Sequence, residues 1–188
     1  MRAIVLALAV VSALSRPAGA QTFEERLSLC LACHGEKGRS ETPEVPSLGG
    51  QPSMYLLIQL YMFRQNLRKA EPMNEMTKGL SDAELQKFSD TVAKLPPPPP
   101  TADGDADRVI RARDLVTRHR CGFCHDADFS GNESVPRLAA QREDYLLKAL
   151  REYKAGTRAE YQPIMAEVMG PLQDQDLADL AHFLARAP

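Results

Sequence analysis

The 188-residue sequence predicts an all-α fold in which two similar helical domains follow one another. Three observations support this prediction. A set of residues recurs about 90 positions later, apolar residues recur at helical spacing behind helix-capping residues, and five consecutive prolines separate the two copies. Patterns typical of β-strands are nearly absent.

The repeat covers most of both halves. Seven residues recur at an offset of 90: Pro46, Leu48, Gln51, Tyr55, Leu56, Leu57 and Leu60 match Pro136, Leu138, Gln141, Tyr145, Leu146, Leu147 and Leu150. Four more recur at an offset of 92: Met73, Leu80, Asp82 and Leu85 match Met165, Leu172, Asp174 and Leu177. So many matches in one order indicate two copies of one domain.

The copies are separated by a proline-rich segment. Pro96 to Pro100 favour a stiff, extended spacer, which Thr101 to Gly104 complete. We therefore predict a first domain over residues 21–95, a linker over 96–104 and a second domain over 105–188.

The first 20 residues have the pattern of a secretory signal peptide. A basic start at Arg2 precedes an apolar run of 12 residues, and small residues end at Ala20. An uncleaved membrane anchor is the alternative, but the run is short for a bilayer. We expect cleavage near Ala20–Gln21 and a periplasmic mature chain, whose formal charge changes from −2 to −4 on loss of Arg2 and Arg16.

Helix-capping patterns open the elements of the first half. Thr22 and Glu25 form the pattern of a capping box for a helix that runs into Cys30. Ser53 is expected to cap a second helix, and a box formed by Ser81 and Glu84 a third. In the second half, helices are predicted near Asp105–Arg120, Asp144–Ala155 and Asp174–Arg186. With roughly 75 to 85 residues, each half is a small domain that a large apolar cofactor would stabilise.

The four cysteines indicate that cofactor. They occur as Cys30-Leu-Ala-Cys33-His34 and Cys121-Gly-Phe-Cys124-His125, and Cys-x-x-Cys-His is the attachment motif of c-type haem. A zinc site needs four ligands, and a thioredoxin-type disulfide belongs in a βαβ unit, so both alternatives fit less well. We predict two covalently bound haem c groups, with His34 and His125 as proximal iron ligands.

The distal ligands are predicted to be Met73 and Met165. The repeat reproduces this methionine ahead of the last helix of each half, and a proline within two residues (Pro72, Pro163) favours an extended loop. The alternative is that these are ordinary core methionines, which Met76 and Met169 fit better. His119 lies on the proximal side, and His182 is expected to pack or to face solvent.

Two further pairs of repeated residues have open interpretations. A loop at Pro46 and Pro136 could return a backbone carbonyl to each proximal imidazole, or the prolines could simply form turns. Tyr55 and Tyr145 are expected to line a haem pocket or the domain interface.

With these motifs, the chain resembles the cytochrome c4 family of dihaem class I cytochromes. The resemblance spans the mature chain and rests on Cys30–Gly35, Pro46–Leu56, Pro72–Met76, Leu80–Leu85, Val135–Leu146 and Leu172–Leu177. It implies two tandem class I cytochrome c domains. The family's distal methionine, eight residues before the Ser of its Leu-Ser-Asp segment, falls on Met73 and Met165. Gln173 departs from that Ser, so the last helix is expected to lose a good cap.

The resemblance implies an electron carrier rather than an enzyme. Expected partners are redox proteins: a quinol-oxidising complex as donor and a terminal oxidase or reductase as acceptor. The alternative is the electron-transfer subunit of a periplasmic dehydrogenase, such as one oxidising sulfide or an alcohol; a dihaem peroxidase ranks last because it needs an open ligand position. The mildly acidic chain argues against nucleic acid, and peripheral association with a membrane is compatible with this function.

Overall fold

The computed structural model describes residues 21–158 and 163–188, which are helical and contain no β-strand beyond an isolated bridge between Asn132 and Val135. The predicted signal peptide lies outside these residues. Four helices form the first domain: α1 Phe23–His34, α2 Ser53–Arg64, α3 Met73–Thr77 and α4 Asp82–Ala93. Five form the second: α5 Ala106–Arg118, α6 Gly122–His125, α7 Glu143–Lys154, α8 Pro163–Met169 and α9 Asp174–Leu184.

The first and last helices of the first domain begin as predicted. Thr22 and Glu25 form a complete capping box at α1, and Ser81 and Glu84 form another at α4. Helix α1 extends beyond Cys30 to His34, so it carries the whole first haem motif. Phe23 stacks on Phe88, with ring centroids 4.6 Å apart, and this contact joins α1 to α4.

The predicted cap at Ser53 is wrong. Pro52 occupies the N-cap position of α2, and Ser53 is the first helical residue. Its hydroxyl donates instead to the carboxylate of Asp90 on α4, at 2.5 Å. The side chain therefore joins two helices and does not satisfy the orphan N–H groups at the start of its own.

In the second domain, α5 and α9 pack against each other and α7 packs on α9. Ala112 is fully buried on α5, and Asp179 on α9 binds Arg108 and Arg111 of α5. The predicted helix Asp105–Arg120 ends at Arg118, and Arg120 adopts a left-handed φ of 53° before α6. The loss of a cap at Gln173 is partly offset because the Asp176 carboxylate accepts from the Gln173 N–H at 2.8 Å.

The two cores are organised differently. The second domain has one continuous apolar cluster that includes Leu115, Phe129, Leu146 and Leu177. The described core of the first domain consists of two small clusters, one around Tyr55 and Val92 and the other around Leu85 and Phe88. The described apolar core of the first domain is therefore divided, whereas that of the second is continuous.

The proline-rich segment packs on both domains. Pro96 lies against Gly49, where a Cβ would be 2.1 Å from the Pro96 carbonyl oxygen, so only glycine fits there. On the other side, the Thr101 N–H donates to the Ala185 carbonyl at 2.9 Å. No helix within residues 21–158 and 163–188 is long and apolar enough to cross a membrane.

Candidate haem sites

The two Cys-x-x-Cys-His motifs lie on helical segments. In the first domain the motif forms the last turns of α1, whereas in the second it spans Cys121 and the short helix α6. In both, the three-residue spacing on a helix places the two thiols on the same side. None of the four cysteines is paired in a disulfide; Cys33 and Cys124 are exposed, and Cys30 and Cys121 are half-buried. Both thiols of each motif are therefore placed for thioether bonds to a porphyrin edge.

Each histidine is held in one tautomer. His34 and His125 are both 6 % exposed, and their Nδ1 atoms lie 2.8 Å from the Pro46 carbonyl oxygen and 2.9 Å from the Pro136 carbonyl oxygen. A carbonyl oxygen only accepts, so Nδ1 carries the proton and Nε2 keeps its lone pair. Burial lowers the pKa of both imidazoles, which favours the neutral form that binds a metal.

The interpretation of Pro46 and Pro136 as histidine-orienting residues is confirmed. The loop between His34 and Pro46 begins at Gly35, whose φ is +85° and whose Cβ would be 1.8 Å from the Arg39 carbonyl oxygen. Glycine is required at this position. In the second domain, Asp126 adopts a φ of 65° at the corresponding point directly after the histidine. In both domains the loop after the histidine therefore brings a proline carbonyl back to the imidazole, although different residues form the turn.

Both predicted distal methionines lie in short helices, so the expected extended loops are wrong. Met73 is the first residue of α3 and is half-buried; Met165 is the third residue of α8 and packs on the core of the second domain. Met169 is a buried core residue, as interpreted, but Met76 is 37 % exposed and belongs to no core.

Asn74 holds the segment that carries Met73, a role that no helical or repeat pattern in the sequence predicts. Its Oδ1 atom accepts from the Ala70 N–H at 2.7 Å, and its Nδ2 atom donates to the carbonyls of Phe63 and Arg68, each at 2.8 Å. Asn74 is buried, so these three bonds fix α3 against the end of α2. The adjacent Pro-Met-Asn sequence was the only local signal for this role.

Both ring nitrogens of His182 are engaged within the second domain. His182 is buried, its Nε2 accepts from the Asp105 N–H at 3.0 Å, and its Nδ1 contacts the Glu143 carboxylate at 3.2 Å. It therefore packs between the start of α5 and the Glu143 end of α7, in agreement with the first of the two alternatives, packing or exposure to solvent. His119 is the C-cap residue of α5, directly before the second motif.

A cluster of two arginines and two tyrosines joins the domains. Arg158, which is 8 % exposed, contacts the hydroxyls of Tyr55 at 3.5 Å and Tyr145 at 3.3 Å. Arg68 contacts the Tyr145 hydroxyl at 3.5 Å. The two tyrosines were expected to line a haem pocket or the domain interface, and these contacts place both at the interface. Burial raises the pKa of Tyr145, but Arg158 and Arg68 outweigh it and lower that pKa overall.

This cluster fits the carboxylates of a haem. Among the described residues, the carboxylate paired with Arg158 is Glu152, 3.6 Å away, and one Arg158 nitrogen, Nη1, is buried without a hydrogen bond. A buried guanidinium is costly unless it is paired and hydrogen-bonded. Arg68 and Arg158 also occupy equivalent places in the repeat, 90 residues apart. Together with the thiols and the oriented imidazoles, the residues present fit two haem c groups. Within the described ranges, no set of three or more His, Cys, Asp or Glu side chains is arranged to hold a metal by itself.

Comparisons with known proteins agree with this geometry. The family model "Cytochrome c" matches residues 109–188. A cytochrome c4 from Thiocapsa roseopersicina is 32% identical, covering 83% of this chain and 85% of that protein. A "Thiosulfate dehydrogenase electron acceptor" from Thiomonas intermedia is 29% identical, covering 98% of this chain and 91% of that protein. The crystal structure of reduced cytochrome c4 from Pseudomonas stutzeri superimposes with a TM-score of 0.79 at 25% identity, covering 90% of this chain and all of that one.

These similarities extend over both domains and coincide with two complete haem attachment motifs. The chain therefore belongs to the cytochrome c4 family: it is an electron-transfer cytochrome with two covalently bound haem c groups, and not itself an enzyme.

Proposed function

We propose that the protein is an exported, periplasmic carrier in which His34 and Met73 bind one iron and His125 and Met165 bind the other. In this proposal Cys30 and Cys33 hold the first haem by thioethers, and Cys121 and Cys124 hold the second. When bound, each haem supplies one-electron transfer between ferrous and ferric iron. The domains are proposed to span 21–95 and 105–188, with 96–104 as linker and 1–20 as a cleaved signal peptide.

The observation that carries this proposal is the repeated orientation of the two histidines. Each imidazole donates from Nδ1 to a proline carbonyl, so Nε2 keeps the lone pair that binds iron. This bond raises the basicity of the imidazole and keeps the ring from rotating. A ring held in this way need not reorganise when the charge on the metal changes, as an electron carrier requires.

Methionine at the sixth position would complete both sites. A thioether ligand raises the reduction potential relative to a second histidine and closes the iron to substrates. Asn74 supports Met73 by pinning α3, and the core packing of α8 supports Met165. Closed sites are consistent with electron transfer and disfavour a peroxidase.

Optical spectra of the ferric holoprotein test the ligand assignment. Methionine sulfur bound to ferric haem gives a weak long-wavelength band, and we expect the wild type to show it at two-haem intensity. Met73→His and Met165→His should each remove about half of the band, and Met76→Leu is the matched control that should leave it intact. Loss of band intensity in Met76→Leu, or retention of the full two-haem intensity in Met73→His or Met165→His, would contradict the assignment.

The partners are proposed to be periplasmic redox proteins. For a free carrier these are a quinol-oxidising complex as donor and a terminal oxidase or reductase as acceptor. One comparison favours a second candidate, an electron acceptor for a dehydrogenase, because the Thiomonas relative covers nearly the whole chain.

Reduction kinetics distinguish the two candidates. The ferric protein would be mixed with purified thiosulfate dehydrogenase and thiosulfate, and separately with a quinol-oxidising complex and quinol. Fast, saturable reduction only in the first mixture supports the dehydrogenase partner, and fast reduction only in the second supports the respiratory carrier.

A further inference from the structure

Two buried glutamines link the domains in a crossed, symmetric way. Gln141 of the second domain accepts from the Ser47 N–H and donates to the Ser47 carbonyl of the first, each at 2.8 Å. Gln51 of the first domain does the same to Arg137 of the second, accepting its N–H at 3.0 Å and donating to its carbonyl at 2.8 Å. Both glutamine side chains are buried, with 4 % and 5 % of their surface exposed.

The residues that these glutamines bind are adjacent to the histidine-orienting prolines. The Ser47 N–H and the Pro46 carbonyl belong to one peptide group, and so do the Arg137 N–H and the Pro136 carbonyl. The Pro46 carbonyl accepts from His34 while the Ser47 N–H donates to Gln141. A single peptide group therefore stands between each imidazole and a glutamine of the opposite domain.

Such a chain of hydrogen bonds has a definite electronic effect. A peptide group whose N–H donates to a strong acceptor is polarised, and its carbonyl becomes a better acceptor in turn, by roughly 10–30% per bond. A stronger acceptor draws the Nδ1 proton away from the ring and makes Nε2 more electron-donating. A more donating imidazole stabilises ferric iron and lowers the reduction potential.

We propose that Gln141 lowers the potential of the first haem through His34, and that Gln51 lowers the potential of the second haem through His125. Each domain thereby sets part of the potential of the other, and the two haems are tuned only when the domains are docked. Both glutamines are positioning residues that act through the peptide group. The proposal rests on the proposed function in one respect, the binding of iron by His34 and His125.

The test requires each haem to be measured separately. In a Met165→His background the second haem becomes bis-histidine and falls to a lower potential, so the remaining His/Met haem is the first. In a Met73→His background the remaining His/Met haem is the second. Redox titrations of the holoprotein would follow that haem with Gln141→Leu and Gln51→Leu added in each background.

Each glutamine variant should affect only the haem of the opposite domain. Gln141→Leu should change the redox equilibrium constant of the first haem about threefold in favour of the ferrous state, which is about 28 mV for one electron, and leave the second unchanged. Gln51→Leu should do the same to the second haem and leave the first unchanged. Gln141→Glu retains an acceptor oxygen for the Ser47 N–H and should not raise the potential of the first haem.

A control removes an interdomain contact that touches neither peptide group. The exposed ion pair between Glu44 and Lys148 is 3.1 Å long, and Glu44→Gln with Lys148→Met deletes it without changing the net charge. This double variant should shift neither haem. The proposal would be overturned if either glutamine variant shifted the reduction potentials of both haems equally. It would also be overturned if the potential of the haem in the opposite domain did not shift. Failure of the ligand assignment is visible independently, since the methionine variants alone would then leave the ferric long-wavelength band unchanged.

Discussion

Replacing Asp179 by Asn should destabilise the second domain strongly. The Asp179 side chain is only 1% exposed and joins α9 to α5 through Arg111 at 2.6 Å and Arg108 at 3.0 Å. Gln175 donates to the same carboxylate at 2.9 Å. Asn keeps one acceptor oxygen but points an NH₂ group at an arginine donor.

The size of the effect follows from these contacts. A hydrogen bond to a charged group contributes about 1.5–3 kcal/mol, and breaking a buried ion pair costs about 3–5 kcal/mol. Arg111 is half-exposed, which places its contribution at the low end. We therefore expect Asp179→Asn to lower the free energy of unfolding of the second domain by about 3 kcal/mol.

The effect should depend on pH in one direction. Burial raises the pKa of Asp179, but its bonds to Arg111, Gln175 and Arg108 outweigh it and hold the pKa below the usual value. An unfolded Asp has a pKa of about 3.9, so the stabilisation is complete above that pH and is lost as the pH falls through the lower folded pKa. The difference between wild type and variant should shrink below about pH 4.

Denaturant unfolding of the holoprotein, followed by circular dichroism at several pH values, measures this difference. Asp174→Asn is the matched control, because it breaks an exposed, solvent-screened ion pair with Arg151 and should change stability much less than Asp179→Asn. A loss below about 1 kcal/mol for Asp179→Asn, or a loss that does not shrink in acid, would refute the reasoning.

Three further predictions concern the supports of the haem sites. Asn74→Ala should lower the free energy of unfolding by about 2–3 kcal/mol, because three buried hydrogen bonds are lost. Added imidazole should then displace the distal ligand of the first haem at a lower concentration. An unchanged midpoint of the imidazole titration would argue against the role of Asn74. Arg158→Met removes a buried cation at the domain interface and should lower at least one reduction potential by roughly tens of millivolts, measured by redox titration. Ala112→Leu overpacks the fully buried face of α5 and should cost about 1–3 kcal/mol in thermal unfolding, whereas the same change at exposed Ala127 should cost little.

The interface differs from a flexible tether between independent domains. The crossed glutamines, the arginine–tyrosine cluster and the Tyr55 N–H, which donates to the Glu133 carbonyl at 3.2 Å, all involve buried or half-buried groups. Buried polar groups of this kind fix one relative orientation, because separating them leaves unpaired donors and acceptors unless water replaces each bond. A fixed orientation keeps the distance between the two proposed haem sites constant.

The sequence alone determined the cofactor and the helix starts at Thr22 and Ser81, because both depend on residues close together in the chain. Thioether attachment and histidine ligation need residues within five positions, so the two Cys-x-x-Cys-His motifs are complete in the sequence itself. The capping boxes at Thr22 and Ser81 are equally local and were predicted correctly. The loop that returns Pro46 to His34 was foreseen as one of two alternatives, since a proline 12 residues away is compatible with either.

Tertiary structure alone decided the contacts made over long sequence separations. Ser53 binds Asp90 instead of capping its helix, Asn74 holds the methionine segment, and Gln51 and Gln141 bind the peptide groups beside the opposite histidines. The glutamines were visible as a repeat, but their partners lie 86 and 94 residues away. Such partners depend on how two domains dock, which is determined by the summed packing of both surfaces and not by any spacing within one helix.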